Sequence, residues 1–338
     1  MNLLKVKNLS TSFSTLSKKV KAVQDVSFEL DEGMSLGIVG ESGCGKSVMA
    51  RSLTRLLPSI TARVDGGNVY YRGKDLLLLK EQELCGVRGK EIGMIFQDPM
   101  TSLNPTMRIG DQIIEGYAHH HPEATEEELV ERALKFLNRV GVSDPTSRFY
   151  QFPHELSGGM RQRVMIALAM ISSPKILIAD EPTTALDVTI QAQILGLLKE
   201  IQQKDGMSII LITHDLSVVA GFCDRVIVMY AGRIVENAPV DELFSAPKHP
   251  YTRRLLNSIP RLDISTKKQL YCIDGAPPDL SSKIKGCPFA KRCPHALHLC
   301  HDGHPQSIEV APSHQVSCWL YDPRIQRKGH EQKSKEKV

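Results

Sequence analysis

The sequence predicts an α/β fold built on a mainly parallel sheet with helices on both faces. Three observations lead there: short apolar runs bounded by turn residues, helical patterns between them, and a glycine-rich loop between one such run and a helical segment. The runs are Ser35–Val39, Ile92–Phe96, Lys175–Ala179, Ser208–Ile212 and Arg225–Met229, and they read as buried strands. The clearest helix begins at Thr125, which forms a capping box with Glu128. Leu129, Val130, Ala133, Phe136, Leu137 and Val140 then line one apolar face ahead of Gly141.

The chain has 338 residues, 41% of them hydrophobic, enough for a large domain and a smaller one. The net charge of +4, from 42 basic and 38 acidic residues, gives little reason to invoke nucleic acid. No stretch approaches the roughly 20 apolar residues of a membrane-spanning helix. Met1–Val6 does not resemble a secretory signal. The expected location is therefore the cytosol, with membrane contact made through partners, and there cysteines serve as thiols or metal ligands more often than as disulfides.

The segment Gly40-Glu-Ser-Gly-Cys-Gly-Lys46-Ser47 follows a strand, precedes a helix and matches the phosphate loop G-x-x-x-x-G-K-[ST]. Gly40, Ser42, Gly43, Cys44 and Gly45 curl the backbone so that successive N–H groups face phosphates, and the helix adds its positive end. Lys46 is expected to reach the β and γ phosphates and Ser47 to ligate Mg2+. The run Ile176–Ala179 delivers Asp180 and Glu181 to a strand end, where α/β sheets bind ligands. Asp180 is expected in the magnesium shell, and Glu181 is expected to orient or deprotonate the attacking water. Carboxylates at a strand end are often merely solvated, but beside a phosphate loop catalysis is the better reading.

Leu156-Ser157-Gly158-Gly159-Met160-Arg161-Gln162-Arg163 resembles the signature motif of ABC ATPases. Gln97 resembles that family's Q-loop glutamine, Thr184–Asp187 its D-loop and His214 its switch histidine. The resemblance covers roughly residues 3–260. It implies an ABC ATPase domain over residues 1–260, with a helical subdomain at about 98–172. It also implies a dimer in which Ser157, Gly158 and Gly159 of one subunit face the phosphate loop of the other across ATP, with Asp187 near the junction. Gln97 and His214 would join Lys46 and Glu181 in catalysis, Gln97 also touching magnesium. Phe13 resembles the aromatic on which adenine stacks, although a lone phenylalanine is as readily a core residue. His119, His120 and His121 lack a completing ligand pattern before Pro122 and read as an exposed loop.

Two further segments, Phe96–Pro105 and His249–Leu256, are similar to the ATP-binding subunits of oligopeptide, dipeptide and nickel importers. That resemblance implies coupling of ATP hydrolysis to uptake at the cytoplasmic face of the membrane. The implied partners are a second, related ATPase subunit, two transmembrane permease subunits and, indirectly, an extracytoplasmic solute-binding protein. An alternative is a soluble ABC ATPase working in DNA repair or translation. Repair-type relatives carry a long insertion between phosphate loop and signature, and translation-type relatives carry two cassettes; this chain has neither feature.

After residue 260 the strand–helix pattern stops, and residues 261–322 read as a loop-rich module followed by a polar tail at 323–338 that is expected to be disordered. Cys287, Cys293, Cys300 and Cys318 are separated by five, six and seventeen residues. Four thiolates suit zinc or an iron-sulfur cluster. The family resemblance implies [4Fe-4S], expected here as a staple for a segment too poor in apolar residues to build its own core. Cys44, Cys85, Cys223 and Cys272 read as unpaired.

Overall fold

The computed structural model describes residues 2–15, 18–184, 186–258 and 273–325. Strands β1 (Asn2–Ser14) and β2 (Lys19–Asp31) form a long antiparallel pair, followed by β3 (Ser35–Val39) and helix α1 (Lys46–Leu53). Next come β4 (Ala62–Tyr71), β5 (Lys74–Asp75), α2 (Glu81–Cys85) and β6 (Ile92–Ile95). A helical stretch comprises α3 (Pro99–Ser102), α4 (Ile109–Ala118), α5 (Glu126–Arg139), α6 (Pro145–Phe149) and α7 (Gly158–Met170). The chain then alternates through β7 (Ile176–Asp180), α8 (Val188–Asp205), β8 (Ser208–Ile212), α9 (Leu216–Phe222), β9 (Arg225–Tyr230) and β10 (Arg233–Pro239). It closes with α10 (Val240–Ser245), α11 (Pro250–Asn257), α12 (Leu299–Asp302), β11 (Ile308–Ala311) and β12 (His314–Val316).

Two sheets result among the described residues: an antiparallel one of order β2-β1-β4-β5, and a larger one of order β11-β12-β10-β9-β3-β8-β7-β6. The five strands β9-β3-β8-β7-β6 are parallel, which is the predicted α/β sheet. Its strands bury both faces. Val39, Leu177, Ala179, Ile209, Leu211 and Val226 point into a core shared with α5, α7 and α8. Leu36, Ile38, Ile176, Ile178, Ile210 and Ile212 point into a second core closed by α1 and the antiparallel sheet. That is why these strands read as continuous apolar runs rather than as alternating ones.

The α5 capping box forms as expected: Glu128 N–H donates to Thr125 Oγ1 at 3.3 Å, and Thr125 N–H donates to the Glu128 carboxylate at 2.9 Å. The antiparallel sheet was not among the predicted strands, although Val26, Phe28 and Leu30 alternate with polar residues along β2. Of the histidine triplet only His119 is exposed. His120 Nε2 lies 3.0 Å from the Arg88 carbonyl oxygen, and His121 stacks on Tyr117 at 4.1 Å.

The carboxy-terminal module is also held differently from the metal staple that the sequence suggested. β12 pairs antiparallel with β10 and so extends the ATPase sheet itself. Phe289 is fully buried in the core that includes α7 and α8. The wholly buried Glu236 of β10 accepts from His314 Nε2 at 2.8 Å and from the N–H groups of Lys248 and His249 at 2.6 and 2.9 Å. Shared core and paired backbone replace the independent core that the segment lacks. Cys272, Ala185 and the tail from residue 326 lie outside the described residues.

Candidate active site

The loop from Gly40 to Gly45 joins the end of β3 to the start of α1. Glycine is required at both ends of it. Gly40 has φ +154° and Gly45 φ +102°, and an added Cβ would lie 2.3 Å from the Met229 carbonyl oxygen or 2.2 Å from that of Ala22. Backbone cannot yield as a side chain could, so any larger residue would force the loop open. Lys46, buried at the start of α1, donates from Nζ to the carbonyl oxygens of Gly40 at 2.8 Å and Glu41 at 3.1 Å. Its ammonium therefore stands over the loop.

Ser47 Oγ donates to Asp180 Oδ1 at 2.7 Å. Asp180 ends β7 with no exposed surface, and its Oδ2 has no hydrogen-bond partner. The nearest cation is the Arg51 guanidinium, 4.0 Å from Oδ2. Burial pushes this carboxyl above the usual aspartate range, against the opposing pull of Ser47 and Arg51. A hydroxyl beside a buried carboxylate with a free oxygen is a hard-oxygen donor set that fits Mg2+.

The next residue, Glu181, has φ +48°, in the left-handed region that costs a non-glycine residue about 1–3 kcal/mol. Three strand ends serve its carboxylate. Gln97, just after β6, donates from Nε2 to Oε2 at 3.1 Å. Thr184 donates from Oγ1 to the same oxygen at 2.9 Å, and His214, just after β8, brings Nδ1 to 3.4 Å of it. The Glu181 side chain is 12% exposed and that of His214 62%, so this histidine is not the buried structural kind. Sequence reasoning placed Thr184 in the D-loop but missed it as a partner of Glu181; its offset of three residues past Glu181 was the available signal.

Thus Lys46, Ser47, Asp180, Glu181, Gln97 and His214 converge at the ends of β3, β6, β7 and β8. Other predicted site residues stand apart. Ser157 caps α7 by accepting from Met160 N–H at 3.4 Å, and Ser157 and Gly158 are exposed. Asp187 caps α8 by accepting from Ile190 N–H at 2.9 Å. Gly159 lies against Ile190, so the starts of α7 and α8 form one surface. Phe13 is half-buried on β1. Among the described residues, none of Phe13, Ser157, Gly158, Gly159 and Asp187 makes a hydrogen bond, ion pair or ring contact with the converging group.

Cys287, Cys293, Cys300 and Cys318 line one small cavity with His249, Phe289 and Trp319. Burial, and after it the neighbouring Cys300, Cys318 and Cys293, push the Cys287 thiol up to about 12. Cys318 is pushed up to about 11, again chiefly by burial. The donor chemistry suits a thiolate-bound centre. However, among the described residues no three His, Cys, Asp or Glu side chains are grouped as a metal ion would need. The expected zinc or iron-sulfur centre is therefore not supported by the observed arrangement, whose packing stands without it.

Residues 23–184 match the family model described as ABC transporter, and residues 235–300 match that described as oligopeptide/dipeptide transporter, C-terminal region. The dipeptide transport ATP-binding protein DppD of Bacillus subtilis (strain 168) is 52% identical over 96% of this chain and 96% of its own length. The oligopeptide transport ATP-binding protein OppD of Escherichia coli (strain K12) is 49% identical over 94% of this chain and 93% of its own. Among solved structures, a dimeric ATP-binding cassette in a post-hydrolysis state bound to ADP and Pi superposes with a TM-score of 0.64 at 29% identity, covering 70% of this chain and 98% of that one. No helix among the described residues is long and apolar enough to cross a membrane. The chain belongs to the ABC transporter family, as an ATP-binding and ATP-hydrolysing subunit of the oligopeptide/dipeptide transporter group.

Proposed function

We propose that this subunit energises uptake of dipeptides or oligopeptides by hydrolysing ATP at the cytoplasmic face of the membrane, bound there to two transmembrane permease subunits. The observation that carries the reading is Glu181, whose strained backbone and shared oxygen hold its carboxylate beside the Ser47–Asp180 pair. The loop N–H groups and Lys46 bind the β and γ phosphates. Ser47, Asp180 and Gln97 would hold Mg2+, which would supply charge neutralisation on the phosphate oxygens. Glu181 aligns the attacking water and takes its proton as the bond to the γ phosphorus forms and the bridge to ADP breaks. His214, beside Glu181, contacts the γ-phosphate oxygens. Phe13 stacks on adenine.

The exposed Ser157 and Gly158 at the start of α7 have backbone N–H groups suited to an anion that this chain's own phosphate loop does not bring to them. This supports a dimer with a second, related ATPase subunit, each signature closing the other's site and Asp187 at the seam. The dimeric cassette among the structural relatives supports the same arrangement. A solute-binding protein outside the membrane would deliver the peptide. We propose further, from the chemistry of four thiols lining one cavity and not from any metal-like grouping of side chains among the described residues, that Cys287, Cys293, Cys300 and Cys318 hold a structural [4Fe-4S] centre rather than zinc. Residues 1–260 would form the ATPase domain, with a helical subdomain at about 98–172, and residues 261–322 the cysteine module.

Two experiments test this reading. Lys46→Ala is expected to nearly abolish ATP hydrolysis, since it removes the cation on the transferring group; unchanged turnover overturns the site. Anaerobically purified protein is expected to contain iron and acid-labile sulfide. One zinc per chain, or four freely reactive thiols and no metal, overturns the cluster alone.

A further inference from the structure

The phosphate loop has a second set of partners, drawn from the far end of the chain. Glu41, the second residue of the loop, is held twice. Its N–H donates to the Tyr251 hydroxyl at 2.9 Å, and its Oε2 accepts from Arg292 Nη1 at 2.8 Å. Tyr251, on α11, is fully buried. The Arg292 side chain is 7% exposed, and each of its three nitrogens has a partner. Nη1 reaches the Tyr230 hydroxyl at 3.1 Å, Nε the Asp274 carbonyl oxygen at 3.0 Å and Nη2 that of Ile273 at 3.1 Å. Burial opposes the guanidinium charge, but the hydrogen bonds to Glu41 and Tyr230 outweigh it and hold the group more firmly protonated than usual. The rings of Tyr230, Tyr251 and Phe289 pack on one another, with centroids 4.6, 5.3 and 5.4 Å apart, and back both partners of Glu41.

The Glu41 carbonyl oxygen is one of the two carbonyl acceptors for Lys46 Nζ. A continuous set of contacts therefore runs from Arg292 and Tyr251 through Glu41 to the ammonium that meets the phosphates. We propose that Arg292 and Tyr251 are positioning residues for ATP binding, holding the phosphate loop in its receptive shape through Glu41. This rests on reading residues 40–47 as the ATP phosphate loop. Its stretch from Gly40 to Gly45 lies outside any strand or helix, and a preordered loop loses less entropy when the phosphates arrive. A buried arginine needed only by the carboxy-terminal module would have no reason to reach a carboxylate on that loop.

The test uses the full-length chain, with mant-ATP fluorescence for affinity and steady-state ATP hydrolysis for KM and kcat. Tyr251→Phe deletes one hydroxyl within an unchanged ring packing and should weaken mant-ATP binding roughly fivefold, the effect of a single neutral hydrogen bond. Arg292→Met should weaken it more than about tenfold, because the bond to Glu41 is charge-assisted. In both variants KM should rise while kcat at saturating ATP stays within about twofold, as loss of ground-state binding requires. Arg292→Lys should recover part of the loss, and Glu41→Gln should add little to Arg292→Met, since the two share one interaction. If the melting temperature falls while mant-ATP affinity holds in both variants, the role is structural and the proposal fails. Should Arg292→Met not fold, Tyr251→Phe decides alone. Lys46→Ala separates the two levels: if it too leaves nucleotide binding and turnover intact, the phosphate-loop reading itself is wrong; if it removes them while Tyr251→Phe and Arg292→Met do not, only the positioning role is refuted.

Discussion

Glu181→Gln should separate nucleotide binding from hydrolysis. The substitution keeps the shape of the side chain and the backbone φ of +48°, so it adds no strain beyond what Glu181 already bears. A glutamine carbonyl oxygen in the place of Oε2 can still accept from Gln97 Nε2 and Thr184 Oγ1, now at 3.1 and 2.9 Å. What disappears is the negative charge and the basic oxygen. General-base catalysis contributes about 10²–10⁴-fold, or ~2.7–5.4 kcal/mol of barrier at 1.36 kcal/mol per decade. The contacts of Lys46 and the Ser47–Asp180 pair involve other atoms, so ATP affinity should stay within roughly threefold, as for sites that share no partner. Single-turnover hydrolysis of ATP, mant-ATP titration and gel filtration with ATP read the three consequences: slow chemistry, retained binding and an accumulated closed dimer. A fall in hydrolysis of less than about tenfold would refute the base role. So would a loss of affinity as deep as that of Lys46→Ala.

Asp180→Asn should trade function for stability. Burial raises the Asp180 carboxyl, so the folded chain keeps its proton to higher pH than the unfolded chain does. Between the ordinary aspartate range and that raised value, stability falls as pH rises. In magnesium-free buffer at neutral pH the variant should therefore melt higher, by roughly 2–4 °C for each kcal/mol recovered, while magnesium-dependent turnover is lost; a lower melting temperature would sink the account. The Cys44 thiol, 5% exposed, is pushed up by burial against the pull of Lys46. Iodoacetamide should thus modify it at least roughly tenfold more slowly than a free thiol at pH 7, with the rate rising as pH approaches the raised value. ATP should slow it further; fast modification at pH 7, indifferent to ATP, would contradict the placement of Cys44 under the loop.

The parallel sheet was legible because burial on both faces leaves an unmistakable trace: the strands around Ile178 and Ile210 are buried throughout, with a polar residue only at one end of each, Asp180 and Ser208. The phosphate loop was legible for a related reason. Its glycines, Lys46 and Ser47 lie within eight consecutive residues, so one local backbone shape must be written in one place. The antiparallel sheet announced itself more faintly, through two-residue alternation that runs from Val26 to Leu30 of β2 and is lost at Ala22 and Val23, where the register with β1 shifts. The cysteine spacing suggested a metal staple because a segment poor in apolar residues was weighed alone. In the fold it is not alone: β12 borrows an edge of the ATPase sheet and Phe289 borrows its core.

Contacts that join distant segments leave no local signature at all. Glu41 and Arg292 are 251 positions apart, and nothing beside either residue in the chain specifies the other. Yet this is the kind of contact that can set how well the loop binds, since Arg292 directly precedes Cys293 and anchors Ile273 and Asp274, where the described module resumes. The same guanidinium therefore holds Ile273 and Asp274, the first described residues of the carboxy-terminal module, together with Glu41 of the loop. A change that shifts the module by even an ångström must either break the Arg292–Glu41 pair, leaving a buried charge unpaired, or carry Glu41 with it. Breaking the pair is the costlier course, because it would leave the Arg292 guanidinium, 7% exposed, without its carboxylate. Motion of the module is thus expected to reach Lys46 through Glu41, making the carboxy-terminal segment part of the ATP-binding apparatus rather than an appendage to it.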